Sequence, residues 1–164
     1  MSNQELSIQI CKTPEELKAS QTAEMVMLEG LGNNILEHLG KVELGKPIRI
    51  FLRNPKDEVV GGVIANCFGG WVYIALLWVE KSLRNQGHGT QLMQLLEAEA
   101  IQYGCHHAHL DTYSFEARPF YERLEYELFA TLEDYPEGCC KYFLKKRLAV
   151  PASNINLHHS FQII

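Results

Sequence analysis

The sequence predicts an α/β (α+β) protein, with a mixed, mostly antiparallel central sheet and helices on both of its faces. Three observations carry that prediction. Short apolar runs with strand character alternate with amphipathic helical stretches along the chain. Two of those runs, Glu58 to Phe68 and Trp71 to Val79, are separated only by Gly69-Gly70, which suggests a hairpin. The second run passes through a glycine-bearing turn directly into an amphipathic helix.

Taken in order, Leu6 to Cys11 alternates and predicts a first strand. Thr13-Pro14-Glu15-Glu16 opens a helix, with Thr13 as N-cap and Pro14 at the first position. That helical region runs towards Leu39 and is expected to break near Gly30 and Gly32. Ile48 to Arg53 predicts a strand, and Asn54-Pro55-Lys56-Asp57 its turn. Trp71 to Val79 is apolar on both faces, so it is expected as a central strand covered on both sides. From Thr90 to Tyr103, Leu92, Leu95, Leu96 and Ala100 trace a helical stripe, and Gly104 stands where a C′ glycine belongs. Ala108 to Thr112 predicts a strand and Phe115 to Leu124 a second helix. Tyr126 to Leu132 and Lys141 to Leu148 are closing strands, joined by the turn-rich Glu133 to Gly138.

Residues 1–149 are expected as one domain, with 150–164 as a tail whose role the sequence leaves open. A chain of 164 residues that is 46% hydrophobic and 21% charged suits a globular protein with a substantial core. No apolar run approaches the roughly 20 residues of a membrane helix, and Met1 to Leu6 lacks the basic start of a signal peptide. A cytoplasmic protein without a membrane partner is the expectation. The net charge of −5 argues against nucleic acid, whose binding gains from counterion release at a basic face. Cys11, Cys67, Cys105, Cys139 and Cys140 form no Cys-x-x-Cys pair, and the odd count suggests reduced thiols that fill space and turns.

The stretch Val79-Glu-Lys-Ser-Leu-Arg-Asn-Gln-Gly-His-Gly-Thr90 is the most informative. A strand-to-helix turn of this kind aims several backbone N–H groups and the positive end of a helix dipole at one point, where phosphate binds. A P-loop would place Gly-Lys-Ser/Thr at its end, whereas Gly89 is followed by Thr90 and Gln91. A dinucleotide fingerprint would need a third glycine where Leu92 stands.

The motif Arg84-x-x-Gly87-x-Gly89, followed downstream by Ser114-x-x-Ala117-x-x-x-Tyr121 and Tyr126, resembles the GNAT superfamily of N-acetyltransferases. Two positions depart from the family pattern: Ser114 replaces Asn and Glu125 replaces a turn glycine. The resemblance implies a GNAT-like sheet whose central strands part to hold acetyl-coenzyme A as cosubstrate, with no metal. It implies that Arg84, Asn85, Gln86, Gly87, His88, Gly89 and Thr90 cradle the pyrophosphate. The backbone of Leu77 and Val79 would bond the pantetheine arm as a strand would, and Ser114 would offer it a hydroxyl. Tyr121 would be the general acid that meets the departing thiolate, the alternative being an aromatic of the helix's core face. Family members are often dimers, so a homodimer is among the expectations, with the apolar-ended tail as one contributor.

Other residues are less decided. Glu80 and Asp111 are candidate general bases, or solvated carboxylates at strand ends. His107 and His109 would share a strand face but lack an obvious third metal ligand, so a polar strand start is preferred. No cysteine is singled out as an activated nucleophile, which favours direct attack by a primary amine in a ternary complex. The acceptor is expected to be a small molecule bordered by Thr22 to Gly40 and Glu133 to Cys140, whose acidic residues suit a cation. Acylation of a protein or peptide terminus, and a coenzyme A-binding module without catalysis, remain the alternatives.

Overall fold

A computed structural model of the chain describes residues 7–39 and 45–148. The chain divides into two compact units, Met1–Val42 and Glu43–Ile164. The tail at 150–164 lies outside the described residues.

In the first unit, α1 (Pro14–Ala19) starts as the sequence predicts. Thr13 Oγ1 accepts the Glu16 N–H at 3.3 Å, and Glu16 Oε2 accepts the Thr13 N–H at 2.9 Å, completing a capping box. The Thr13 and Lys12 N–H groups, both donating to Glu16 Oε2, hold the Glu16 carboxyl below its ordinary pKa. Two expectations fail in this unit. Among the described residues, 7–11 form no strand, and Ile8 is 94% exposed. Alternation supplies a face, but a strand also needs a ladder partner. The break in the helical region falls at Ser20, and α2 (Gln21–Leu39) runs unbroken through Gly30 and Gly32. The Ser20 hydroxyl donates to Leu17 O, at 2.8 Å, while an interior glycine costs a helix only about 1 kcal/mol.

In the second unit, six strands form one sheet in the order β1-β2-β3-β4-β6-β5. These are β1 (Lys46–Arg53), β2 (Val59–Phe68), β3 (Trp71–Val79), β4 (His107–Tyr113), β5 (Glu127–Glu133) and β6 (Cys140–Arg147). All neighbours are antiparallel except β3 and β4, which are parallel and linked through α3 (His88–Gln102). Gly69 and Gly70 take φ of 57° and 79°, the left-handed pair that a two-residue hairpin requires.

Helix α3 covers β1, β2 and β3. Its buried stripe is Leu92, Met93, Leu96 and Ala100, whereas Leu95 is half exposed. Residues two apart on a helix point about 200° apart, so Met93 and Leu95 cannot share a face, and it is Met93 that lies with Leu96 and Ala100. The core continues through Val63, Val72, Ile74, Ala108, Leu110 and Leu144, and reaches Tyr121 on α4 (Arg118–Arg123). Helix α4 is shorter than expected: 114–117 are turn residues. Cys67 and Cys105 are buried core thiols, and burial, followed by the neighbouring Cys105, pushes Cys67 up to about 12.

Two features of β3 position the site. First, β3 and β4 pair only from Trp71↔His107 to Ile74↔Leu110. Beyond that point β3 stays with β2 as far as Gly61↔Val79, and β4 stays with β6 as far as Tyr113↔Lys141. The sheet forks. Second, Ile64 and Ala65 pair with Leu76 and Ile74, so Ala75 is an extra, bulged residue. The bulge shifts the inward-facing side chains from Val72 and Ile74 to Leu77 and Val79. Leu76 and Trp78 are 51% and 45% exposed, so β3 is not sealed on both sides as its composition suggested. Its continuous apolar run is needed in part because the inward face changes along the strand.

Candidate active site

At the fork lies a cleft of about 640 Å³. Its walls are the ends of β3 (Leu77, Trp78, Val79) and β4 (Thr112), the turn before α3, and α4 with the loop ahead of it. Of the residues singled out from sequence, Leu77, Val79, Arg84, Asn85, Gly87, Gly89, Thr90 and Tyr121 line this one cleft. Gln86, His88 and Ser114 are not among its walls. Gln86 Nε2 donates to Ser82 O at 3.0 Å, and Ser114 Oγ accepts the Cys140 N–H at 3.1 Å, tying the end of β4 to the start of β6.

The turn is built in steps. One turn of 3-10 helix (Lys81–Leu83) leaves β3, and the Arg84 N–H closes it on Lys81 O. Arg84 Nε then donates to Val79 O at 2.9 Å, folding the loop back on the strand. Asn85 and Gly87 both adopt positive φ, 61° and 87°. Asn is among the few side-chain-bearing residues that tolerate this region. The first bond inside α3 runs from the Gln91 N–H to Gly87 O, so the N–H groups of His88, Gly89 and Thr90 have no intrahelical partner. The dipole of a 15-residue helix adds partial positive charge at the same end. An anion of phosphate type suits this corner.

The two glycines are needed for different reasons. Gly87 supplies the left-handed backbone, and a Cβ there meets nothing within 4 Å. Gly89 is helical, and a Cβ there would sit 3.3 Å from Phe120 Cζ. Its lack of a side chain leaves room for the Phe120 ring of α4 against the turn.

Tyr121 is 7% exposed and packs edge-on against Phe120 and Tyr126. Burial, followed by the charges of Glu116 and Asp111, pushes its phenol up to about 12. Below that pH it is a hydrogen-bond donor. Glu125, in the place of the expected turn glycine, takes φ of 67°, so the bend persists despite a Cβ. Behind Tyr121, Tyr126 donates to Glu97 Oε1 at 3.0 Å, and Lys146 Nζ holds Glu97 Oε2 at 2.7 Å. This part-buried triad links α3, β6 and the residue after the Glu125 bend.

Neither candidate base stands in the cleft wall. Glu80 Oε1 accepts the Ser82 hydroxyl at 2.8 Å. Asp111 is engaged on both oxygens, by the Tyr73 hydroxyl at 3.0 Å and by Lys141 Nζ at 2.9 Å. Sequence reasoning missed Glu116 and Arg123, which do line the cleft. Glu116 sits at an unspecified position within the downstream motif, and only folding brings it to the cleft. His107 and His109 stack on Trp71 and Tyr73, with ring centroids 4.5 and 4.9 Å apart. Burial lowers the pKa of His109, against the pull of Asp111. Among the described residues no three His, Cys, Asp or Glu side chains gather as a metal site.

Comparison with known proteins agrees with this architecture. The model of the acetyltransferase (GNAT) family matches residues 24–126. Blasticidin-S acetyltransferase of Streptomyces morookaense is 35% identical over 94 residues, covering 57% of this chain and 69% of that protein. An acetyltransferase of Agrobacterium fabrum is 32% identical over 102 residues, covering 62% and 74%. Among solved structures, an acetyltransferase from Bacillus cereus superposes with a TM-score of 0.73 at 27% identity, over 87% of this chain and 98% of that one. An aminoglycoside 6'-N-acetyltransferase complexed with coenzyme A shares the fold, with a TM-score of 0.58 at 20% identity over 72% and 79%. With the forked sheet, the amide-rich turn and the motif residues gathered at one cleft, the chain belongs to the acetyltransferase (GNAT) family.

Proposed function

We propose that the protein transfers an acetyl group from acetyl-coenzyme A to a primary amine of a small molecule, by direct attack in a ternary complex. The observation that carries this reading is the fork, where strand ends without a partner across the gap meet the N-terminus of α3 at one cleft. The cosubstrate supplies an activated thioester. The free N–H groups of His88, Gly89 and Thr90 suit its pyrophosphate, and Arg84 and Arg123 add positive charge to the same walls. The edge of β3 beyond Ile74 suits an amide-bearing arm lying as an added strand.

Tyr121 donates a hydrogen bond to the sulfur as the C–S bond breaks. A phenol near 12 holds its proton more tightly than a thiol of ordinary pKa near ~8.5, so it stabilises the thiolate without giving up the proton fully. Support for a small-molecule acceptor comes from the relatives, one of which is named for acetylating blasticidin S. The acidic net charge of −5 supports a partner other than nucleic acid.

The test is acetyl-dependent release of free thiol over a panel of amines and peptide N-termini. Turnover on small amines supports the reading; turnover on peptides alone, or binding of coenzyme A without any turnover, overturns it. Gly87→Asp, whose Cβ would meet nothing within 4 Å but must accept a φ of 87°, and the double variant Gly87→Asp/Gly89→Asp place carboxylates in the turn. Both are expected to weaken coenzyme A binding, the double variant by about a hundredfold or more. Normal binding by both would defeat the assignment of this turn.

A further inference from the structure

Three charged side chains line the cleft: Arg84, Arg123 and Glu116. The arginines suit an anionic cosubstrate, which leaves Glu116 without a role there. Its two hydrogen bonds both fall on Oε2, which accepts the Thr112 hydroxyl at 3.1 Å and the Tyr113 N–H at 3.2 Å. Those bonds fix the carboxylate against the end of β4, while Oε1 takes no hydrogen bond from the described residues. Beside it, Phe115 is 65% exposed, lines the same cleft and lies parallel to Tyr113, at 5.2 Å between centroids and 3° between planes. A carboxylate oxygen and an exposed aromatic ring on the walls of one cleft make a setting for a cation. Lys141, 5.6 Å from the Tyr113 ring centre, is already paired with Asp111.

We propose that Glu116 Oε1 receives a fixed cationic group, an ammonium or guanidinium, of an acceptor that carries a second, reactive amine. This rests on the acetyltransferase reading above and adds the acceptor's charge class to it. The acceptor's cation docks on Glu116 and Phe115, and its free-base amine reaches the thioester beside Tyr121. The amine nitrogen forms the bond to the carbonyl carbon, the C–S electron pair leaves on the thiolate, and the displaced N–H proton passes to solvent.

The experiment compares kcat/KM for diamines and amino-guanidines with that for chain-matched monoamines, in the unaltered protein and in Glu116→Gln. The glutamine keeps an oxygen to accept from Thr112 and Tyr113, so the turn survives while the charge is lost. The unaltered protein is expected to prefer the dicationic amines about tenfold to a hundredfold, mostly through KM. Glu116→Gln should erase that preference by raising KM for the dicationic amines more than for the monoamines, a differential that a general loss of turnover would not produce. Retention of the preference in Glu116→Gln, or its absence in the unaltered protein, overturns the proposal while leaving the acetyltransferase reading intact. Turnover on none of the amines overturns both.

Discussion

The two halves of the β3–β4 pair are made of similar residues and do opposite things. From Trp71 to Ile74, β3 is laddered to His107–Leu110, with Val72, Ile74, Ala108 and Leu110 buried beneath and Trp71 and Tyr73 stacked on His107 and His109 above. From Ala75 to Val79 the ladder to β4 is gone, and Leu77, Trp78 and Val79 line a cleft. What divides them is the bulge at Ala75, together with β4's continued pairing to β6. The closed half is a source of stability, and the open half is a place where backbone and side chains remain available to a ligand. A sheet can therefore keep a binding slot at its centre only if one end of the same strand pair holds it shut.

That comparison is broken most severely by Leu110→Ala. Leu110 is fully buried at the last pair before the fork, and its truncation is expected to cost about 3 kcal/mol in denaturant unfolding. Cosubstrate affinity of the folded fraction should be little changed; an equal loss of affinity would mean that the halves are not separable. Tyr121→Phe probes the open half. It should lower kcat by about tenfold to a hundredfold with less than about 1 kcal/mol lost in stability. Because burial keeps the phenol neutral up to about 12, the kcat profiles of the two proteins should run parallel between about pH 6 and 10. An alkaline limb present only in the unaltered protein would show that Tyr121 ionises in that range. The smallest effect is expected of Glu125→Gly, which relieves a left-handed non-glycine backbone at φ 67° and should add about 1 kcal/mol without altering kcat.

Much of the closed half was legible in the sequence, because its signals are local. Gly69-Gly70 at the hairpin into β3 and Gly104 at φ 82° after α3 specify their own backbone and were placed correctly, as was, in the first unit, Thr13 as N-cap with Pro14 behind it. The fork was legible only by resemblance. No run of residues announces that Ile74 is the last to pair with β4, since Leu76, Leu77 and Trp78 are as apolar as what precedes them. The same blindness put Leu95 in the core in place of Met93 and hid Glu116, whose importance comes from Thr112 and Tyr113 folding back on it. Asp111 was noticed for its charge, but its engagement by Lys141 and Tyr73 depends on strands far apart in sequence.

The bulge at Ala75 also sets where this chain can change length. A strand alternates with a period of two, so adding or losing one residue between Ile74 and Leu77 would exchange the half-buried face of this segment for its exposed one. Leu77 and Val79 would turn outward, and Leu76 and Trp78 would take their places. The hairpin at Gly69-Gly70 and the turn Asn54–Asp57 stand outside that count and can absorb insertions without inverting any face. Length variation among descendants of this sequence should therefore gather at those turns and leave β3 untouched.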